Sequence, residues 1–266
     1  MTSCIQRAFR IIPTLSFAFW LAASPSAIVA QAPVVVPNAN AAVAGNSDNR
    51  FPFLVTGGMR YQQVFDASEF SSLGGPQFIN QLSLRNGPFV ATAFTANIAS
   101  IQISLSTIAT APDNLSTTFA GNIGANNTQV YNGSLTLSST NGAGPGNTHV
   151  FDVVINFQTP FLYDPSAGNL LLDVQNNSGA DAAVGVNFFD AQFTASDSIS
   201  RVFGPEGNSS ATTGTADSNG LIMQFSFAAV PEPTTWALIG VVTLGTGAYT
   251  WKKRRQAIKN RFAKVK

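Results

Sequence analysis

Apolar and polar residues alternate strictly along the middle of this chain, and this pattern limits the choice of fold more than any other feature. Successive side chains of a β-strand point to opposite faces, so such alternation predicts strands with one buried face. The clearest alternating runs cover residues 101–105, 135–137, 151–157, 170–174 and 221–227. Weaker runs cover residues 61–65, 78–84 and 184–188.

Segments rich in Gly, Asn and Pro separate these runs and supply the backbone angles that tight turns need. One short helix is predicted at residues 66–69, with Asp66 as its N-cap and Glu69 as a capping residue three positions on. No longer helical period occurs in the middle of the chain. We therefore expect an all-β fold, a single jelly-roll-like β-sandwich of about eight to ten strands over residues 50–229, preceded by a linker at 31–49.

The first 30 residues have the order of a secretory signal peptide. Arg7 and Arg10 form a short positive region, an apolar run follows, and small residues gather before Ala30. We predict cleavage after Ala30. A cut after Ala32 also fits the preference for small residues, but it would place Pro33 directly after the cut.

An apolar stretch near the C-terminus is predicted to form one transmembrane helix over residues 236–251. Its sixteen residues are short for a bilayer span, which usually takes about 20. Trp236 and Trp251 stand at its two ends, where aromatic rings favour the membrane interface. A membrane-stop block follows, formed by Lys252, Lys253, Arg254 and Arg255. The positive-inside rule then predicts a cytoplasmic tail at residues 256–266, with the bulk of the chain exported.

The formal net charge of +1 hides a strong asymmetry along the chain. Residues 31–229 contain four arginines, twelve acids and no lysine, whereas residues 230–266 contain eight basic residues and one acid. The predicted exported part is therefore acidic, and we expect no nucleic-acid partner, because that partner needs a basic face. Cys4 and His149 are the only cysteine and histidine, so neither a disulfide framework nor a zinc site is expected.

Residues 230–255, which combine Pro231, Glu232 and Pro233 with the apolar span and the basic block, resemble the PEP-CTERM sorting signal. The resemblance implies that an integral-membrane exosortase recognises the Pro-Glu-Pro motif and cleaves nearby. It also implies a single-pass precursor in the inner membrane of a Gram-negative, exopolysaccharide-producing bacterium, and then a place on the cell surface or in the extracellular matrix. The chain departs from the usual pattern by running eleven residues past Arg255.

Residues 60–67 and 161–173 are similar to β-rich exported domains that often precede such tails, and that similarity implies no activity. A Ser-His-Asp triad would require His149, which is predicted to be exposed at the start of a strand. Glycoside hydrolysis would require a carboxylate pair, either Asp66 with Glu69 or Asp190 with Asp197. Capping explains Glu69 and a strand end explains Asp190, so we expect no catalytic residues.

Calcium is the one cofactor that the sequence leaves open, because it binds carboxylate and carbonyl oxygens of loops. No EF-hand spacing occurs, and we assign no ligand set. Candidate acids in or near predicted loops are Asp164, Asp181, Asp190, Asp197 and Asp217.

The predicted function is that of a non-enzymatic exported surface or extracellular-matrix protein, sorted by an exosortase at the membrane. A carbohydrate-binding module that binds exopolysaccharide is the alternative. The predicted domain contains no Trp, and only Tyr61, Tyr131 and Tyr163 could stack against a sugar. A polysaccharide-active enzyme is the third possibility.

Overall fold

The computed structural model describes residues 31–89, 92–181, 188–228 and Trp251. This part of the chain contains strands β1 (Val34–Val36), β2 (Ser47–Asn49), β3 (Met59–Phe65), β4 (Gln77–Leu84), β5 (Phe94–Ile108), β6 (Thr128–Ser139), β7 (Val153–Tyr163), β8 (Asn169–Asn176), β9 (Phe189–Phe193), β10 (Ile199–Phe203), β11 (Thr215–Asp217), β12 (Asn219–Leu221) and β13 (Met223–Ala228). It also contains short 3-10 helices at Asn38–Asn40, Ala67–Leu73, Phe119–Asn122, Pro145–Asn147 and Pro165–Ala167. The all-β class predicted from the sequence is confirmed.

The strands form three sheets, in which the neighbouring strands are antiparallel. The first sheet has the order β1-β13-β4-β7, and the second has the order β11-β10-β3-β8-β5-β6. The third is small, with the order β12-β9-β2. Strands that are neighbours in a sheet are often distant in sequence, and β1 and β13 lie at opposite ends of the described domain.

One hydrophobic core joins the first two sheets. The first sheet contributes residues such as Leu82, Ile155 and Phe225, and the second contributes residues such as Phe65 and Leu172. The rings of Phe65 and Phe225 are 5.0 Å apart and nearly perpendicular, which is a favoured aromatic arrangement. The alternating side chains of the sequence are therefore the inward-facing residues of two sheets that share a core.

The clear alternating runs all lie in or across strands. Residues 101–105 lie in β5, 135–137 in β6 and 170–174 in β8. The run 151–157 enters β7 only at Val153, and the run 221–227 is divided between β12 and β13 at the buried residue Ile222. Of the weaker runs, 61–65 and 78–84 are confirmed as β3 and β4, whereas 184–188 falls mostly outside the described residues.

The prediction of a linker at residues 31–49 was wrong. Val34–Val36 form β1 at the edge of the first sheet, where Val34 pairs with Phe225, and Val36 is fully buried. Ser47–Asn49 form β2 of the third sheet. Three-residue strands are too short to display an alternating pattern, and the burial of β1 depends on a partner strand from the far end of the domain.

The predicted short helix exists, but as a 3-10 helix at Ala67–Leu73. The Asp66 carboxylate caps it by accepting a hydrogen bond from the Ser68 N–H at 2.9 Å. Glu69 does not have the predicted capping role, because its carboxylate accepts from the Asn38 N–H, and the Asp66 N–H donates to the Ser198 carbonyl instead. Glu69 thus fixes the segment after β1 to this helix.

A second apolar cluster covers part of the outer face of the second sheet. Val64, Leu171 and Val202 point outward from three neighbouring strands of that sheet. Leu115, Phe119 and Ala211, which lie outside the strands, pack over them. This cover leaves the other end of the outer face, along the first part of β5 and along β6, open to solvent.

Candidate functional site

The predicted sorting residues Pro231, Glu232 and Pro233 and the membrane-stop block at 252–255 lie outside the described residues, as do the predicted signal peptide and cytoplasmic tail. Of the predicted transmembrane helix, only Trp251 is described, and it is 60% exposed. Within the described ranges, no helix combines the length and the apolar character needed to cross a bilayer.

The described domain ends at a well-held strand. β13 runs to Ala228 between β4, which pairs with it over most of its length, and β1, which pairs with its first three residues. Phe225 and Phe227 on β13 are buried in the core. The chain therefore leaves the domain from a packed strand, three residues before Pro231.

Three of the carboxylates that the sequence singled out line one surface cleft of about 460 Å³. These are Asp66 and Glu69, which form one of the two candidate carboxylate pairs, and Asp197, which belongs to the other. Gln192, Ser196 and Ser198 contribute polar groups to the same cleft. The fold brings these acids together because the 3-10 helix after β3 packs against the connection between β9 and β10.

Each acid in this cleft already accepts a hydrogen bond from the backbone. Asp66 accepts from the Ser68 N–H, Glu69 from the Asn38 N–H and Asp197 from the Ile199 N–H. The pKa of Asp197 is raised to about 6, mainly by burial and also by repulsion from Asp113 and Glu69, while the hydrogen bond from the Ile199 N–H opposes the rise. The cleft is acidic, and its carboxylates hold three loop segments in place.

Asp190 does not line this cleft, so the candidate pair of Asp190 and Asp197 is not brought together there. The Arg85 Nε donates to Asp190 Oδ2 at 2.7 Å, and their side chains are 0% and 1% exposed. Burial raises the pKa of Asp190, and the neighbouring Arg85 opposes that rise. Asp190, which the sequence analysis explained as a strand-end acid, is thus one partner of a buried ion pair.

The same pair holds the segment that follows β1. Arg85 Nη2 donates to the carbonyls of Asn40 and Val43, at 2.8 and 2.9 Å. The Gly45 N–H donates to Asp190 Oδ1 at 2.9 Å. Buried charges of this kind are tolerated when they are paired and hydrogen-bonded, so the ion pair and the segment 40–45 stabilise each other.

Sequence reasoning missed Arg85. The sequence did contain one signal that the arginines form ion pairs. Residues 31–229 contain only four arginines and no lysine, but twelve acids. All four arginines of the described domain form ion pairs, namely Arg50–Glu206, Arg60–Asp173, Arg85–Asp190 and Arg201–Asp217. Which acid pairs with which arginine depends on contacts between distant strands and was not readable from the sequence.

The calcium candidates are dispersed. Asp164 accepts from the Ser166 N–H, Asp181 from the Asn97 side chain, and Asp217 binds Arg201. No three His, Cys, Asp or Glu side chains among the described residues are grouped so that they could hold a metal ion. The described acids thus offer no ligand set to which calcium can be assigned.

The remaining candidates have structural surroundings. His149 is half-buried rather than exposed, and its Nδ1 is buried without a hydrogen-bond partner in the described residues. Tyr61 and Tyr163 are fully buried, so neither can stack on a sugar, and burial raises the pKa of both. Tyr131 is half-buried on β6, and its hydroxyl donates to the Ser134 carbonyl.

Comparisons with known proteins identify no relative of this chain. No family model, no curated protein and no solved structure matches it.

Proposed function

We propose that this chain is a non-enzymatic exported protein of the cell surface or extracellular matrix, sorted by an exosortase through its C-terminal segment. The observation that carries the proposal is the order of Pro231, Glu232 and Pro233, the apolar span and the basic block at 252–255. An N-terminal segment of signal-peptide character supports export. The precursor is a single-pass inner-membrane protein of a Gram-negative bacterium, and the processed protein lies outside the cell.

The end of the folded domain supports this use of the tail. Ala228 is the last residue of β13, so the Pro-Glu-Pro motif begins after only Ala229 and Val230. Seven residues separate Ala228 from Trp236, and a chain of that length extends at most about 25 Å. The motif is therefore confined between the domain and the membrane, where an integral-membrane enzyme would act on it.

We further propose that the domain is a jelly-roll sandwich. Strands β1, β13, β4 and β7 form one sheet, and β3, β8, β5 and β6 are consecutive neighbours in the other. In chain order, β1, β3, β4 and β5 alternate between the two sheets, as do β6, β7, β8 and β13. This back-and-forth order supports a jelly roll, with β9 to β12 as an insertion before the last strand.

The sorting proposal is tested in cells with and without the exosortase. The tagged full chain is followed by cell fractionation and by the mass of the mature protein. We expect a shorter, membrane-released form only in cells with the enzyme, and loss of that form in the variant Glu232→Gln. The variant Glu206→Gln, which changes an acid of the domain, is the control and should be processed normally.

Equal size and equal membrane retention in both strains would overturn the sorting proposal.

Sugar binding by the domain is a second candidate function, favoured by one polar cleft on β5 and β6. A polysaccharide-active enzyme is the weaker third candidate, because the acids of the acidic cleft are engaged in holding loops.

A further inference from the structure

A second surface cleft has a volume of about 600 Å³. It lies between the start of β5, the end of β6 and the segment that connects β6 to β7. Its polar lining consists of the hydroxyls of Thr95, Ser138, Ser139 and Thr140 and the carboxylate of Asp152. Pockets of this size hold small ligands, which are oriented by a few polar groups. The lining contains one acid and no basic residue.

One carboxylate oxygen of Asp152 is hydrogen-bonded within the described residues, and the other is buried without a partner. Its Oδ2 accepts from the Thr140 N–H and from the Thr140 hydroxyl, both at 2.8 Å, and these bonds fix the carboxylate in place. Its Oδ1 is buried and has no hydrogen-bond partner among the described residues. A held carboxylate with a free acceptor is suited to a ligand hydroxyl, since hydrogen bonds to ionised acceptors are strong.

The two strands present further free hydroxyls beside it. Thr95 and Ser138 are directly opposite each other on β5 and β6, and both are exposed. Neither hydroxyl has a hydrogen bond within the described residues. The next outward pair, Asn97 and Thr136, continues the polar surface along the strands, with Thr136 donating to Asn97 at 2.9 Å and Asn97 donating to the Asp181 carboxylate. A hydroxyl-rich ligand could therefore extend from the cleft along this face.

We propose that this cleft binds a neutral, polyhydroxylated ligand, namely a neutral polysaccharide segment. Asp152 accepts hydroxyl hydrogen bonds, and Thr95 and Ser138 donate and accept them at the strand edge. No aromatic ring stacks on the sugar, because Phe94 in the lining faces the core and is 8% exposed. Binding then depends on hydrogen bonds alone, so the affinity of a single site is weak. Long polymers are favoured, because one polymer can bind many copies of the protein at once.

Charge selects against acidic polymers. Asp152 would face a polymer carboxylate without a compensating cation in the lining, and residues 31–229 contain eight more acids than arginines. Like charges at a binding site weaken association. The inference rests on the proposed export, because an exported domain is what meets matrix polysaccharide, but the binding measurement does not require sorting to occur.

The test uses the full chain in detergent micelles and saturation-transfer NMR with soluble hexasaccharides. The probes are cellohexaose, maltohexaose and laminarihexaose as neutral sugars, and a guluronate hexamer as the acidic sugar. We expect transfer to at least one neutral hexasaccharide and none to guluronate. The variant Asp152→Asn should weaken binding about tenfold and Thr95→Val about threefold.

The matched control is Asp164→Asn. Asp164 resembles Asp152 in accepting both the N–H and the hydroxyl of one nearby residue, here Ser166, but it does not line the cleft. Its variant should bind like the unmodified protein, and circular dichroism should show that all variants are folded. Binding that is absent for every neutral sugar, stronger for guluronate, or unchanged in both cleft variants would overturn the inference. Normal exosortase processing alongside such a result would leave the sorting proposal intact.

Discussion

Arg85 and Asp190 form an ion pair that is removed from solvent, with an Nε–Oδ2 distance of 2.7 Å and side chains that are 0% and 1% exposed. The two residues are 105 positions apart in the chain. Both side chains also form hydrogen bonds with backbone groups of the segment 40–45. The pair therefore joins the end of β4, strand β9 and the N-terminal segment.

Breaking this pair should destabilise the domain strongly. Arg85→Met leaves Asp190 buried without its cation, and we expect a loss of about 3–5 kcal/mol in the free energy of unfolding. Arg50→Met is the control, because Arg50 is exposed and its ion pair with Glu206 should contribute about 1 kcal/mol or less. Urea unfolding measures both losses, and similar values for the two variants would contradict the role given to Arg85.

Burial of β1 can be tested with one buried and one exposed valine. Val36 is 0% exposed in β1, whereas Val43 is 59% exposed in the segment that follows. Val36→Asp should cost about 3 kcal/mol or more, because it places an unpaired charge in the core. Val43→Asp should stay within about 0.5 kcal/mol. If thermal unfolding tolerated both changes equally, residues 31–49 would behave as the linker that the sequence suggested.

Stability should fall as the pH rises from about 4 to about 7. Burial, and repulsion from Asp190, raise the pKa of Asp48 to about 6, and the pKa of Asp197 is also raised to about 6. The folded state therefore holds these protons more tightly than the unfolded chain, in which the pKa of Asp is about 3.9. The resulting stabilisation is complete below pH about 4 and is lost as the pH rises through about 6.

The expected loss is about 1 kcal/mol for each group, after solvent screening at these partly exposed carboxyls is allowed for. The double variant Asp48→Asn and Asp197→Asn should flatten this dependence and raise stability at pH 7. Unfolding free energies measured across this range check both expectations. The prediction would be contradicted if the free energy of unfolding increased between pH 5 and pH 7 and the double variant abolished that increase.

Gln158 is predicted to hold the open edges of the two main sheets together. Its side-chain Oε1 accepts from the Asn132 N–H at 3.0 Å, and its Nε2 donates to the Asn132 carbonyl at 3.2 Å. Gln158→Ala should cost about 1 kcal/mol and speed hydrogen exchange at the Asn132 amide. Gln129→Ala, an exposed change on β6, the strand of Asn132, is the control. Unchanged exchange at Asn132 in the Gln158 variant would argue against this bridge.

Strand prediction succeeded where the pattern is long. Residues 101–105 and 170–174 lie in β5 and β8 as their alternation predicts, although residues 170–174 are buried on both faces because the second apolar cluster covers the outer face of β8. It failed for β1 and β2, where three residues are too few for a periodic signal. The sequence also explained Asp190 as a strand-end acid without indicating its partner Arg85, because sequence distance says little about which side chains share a site.

The sequence by itself determined the all-β class, the acidic charge of the central domain and the expectation of a membrane-sorted tail, because these depend on local periodicity and composition. The tertiary structure decided which distant residues meet. It pairs Val34 with Phe225, places Arg85 against Asp190, and brings Thr95, Ser138 and Asp152 to one cleft. Register between strands and burial of charge are properties of the assembled sheets, so no single segment of the chain contains them.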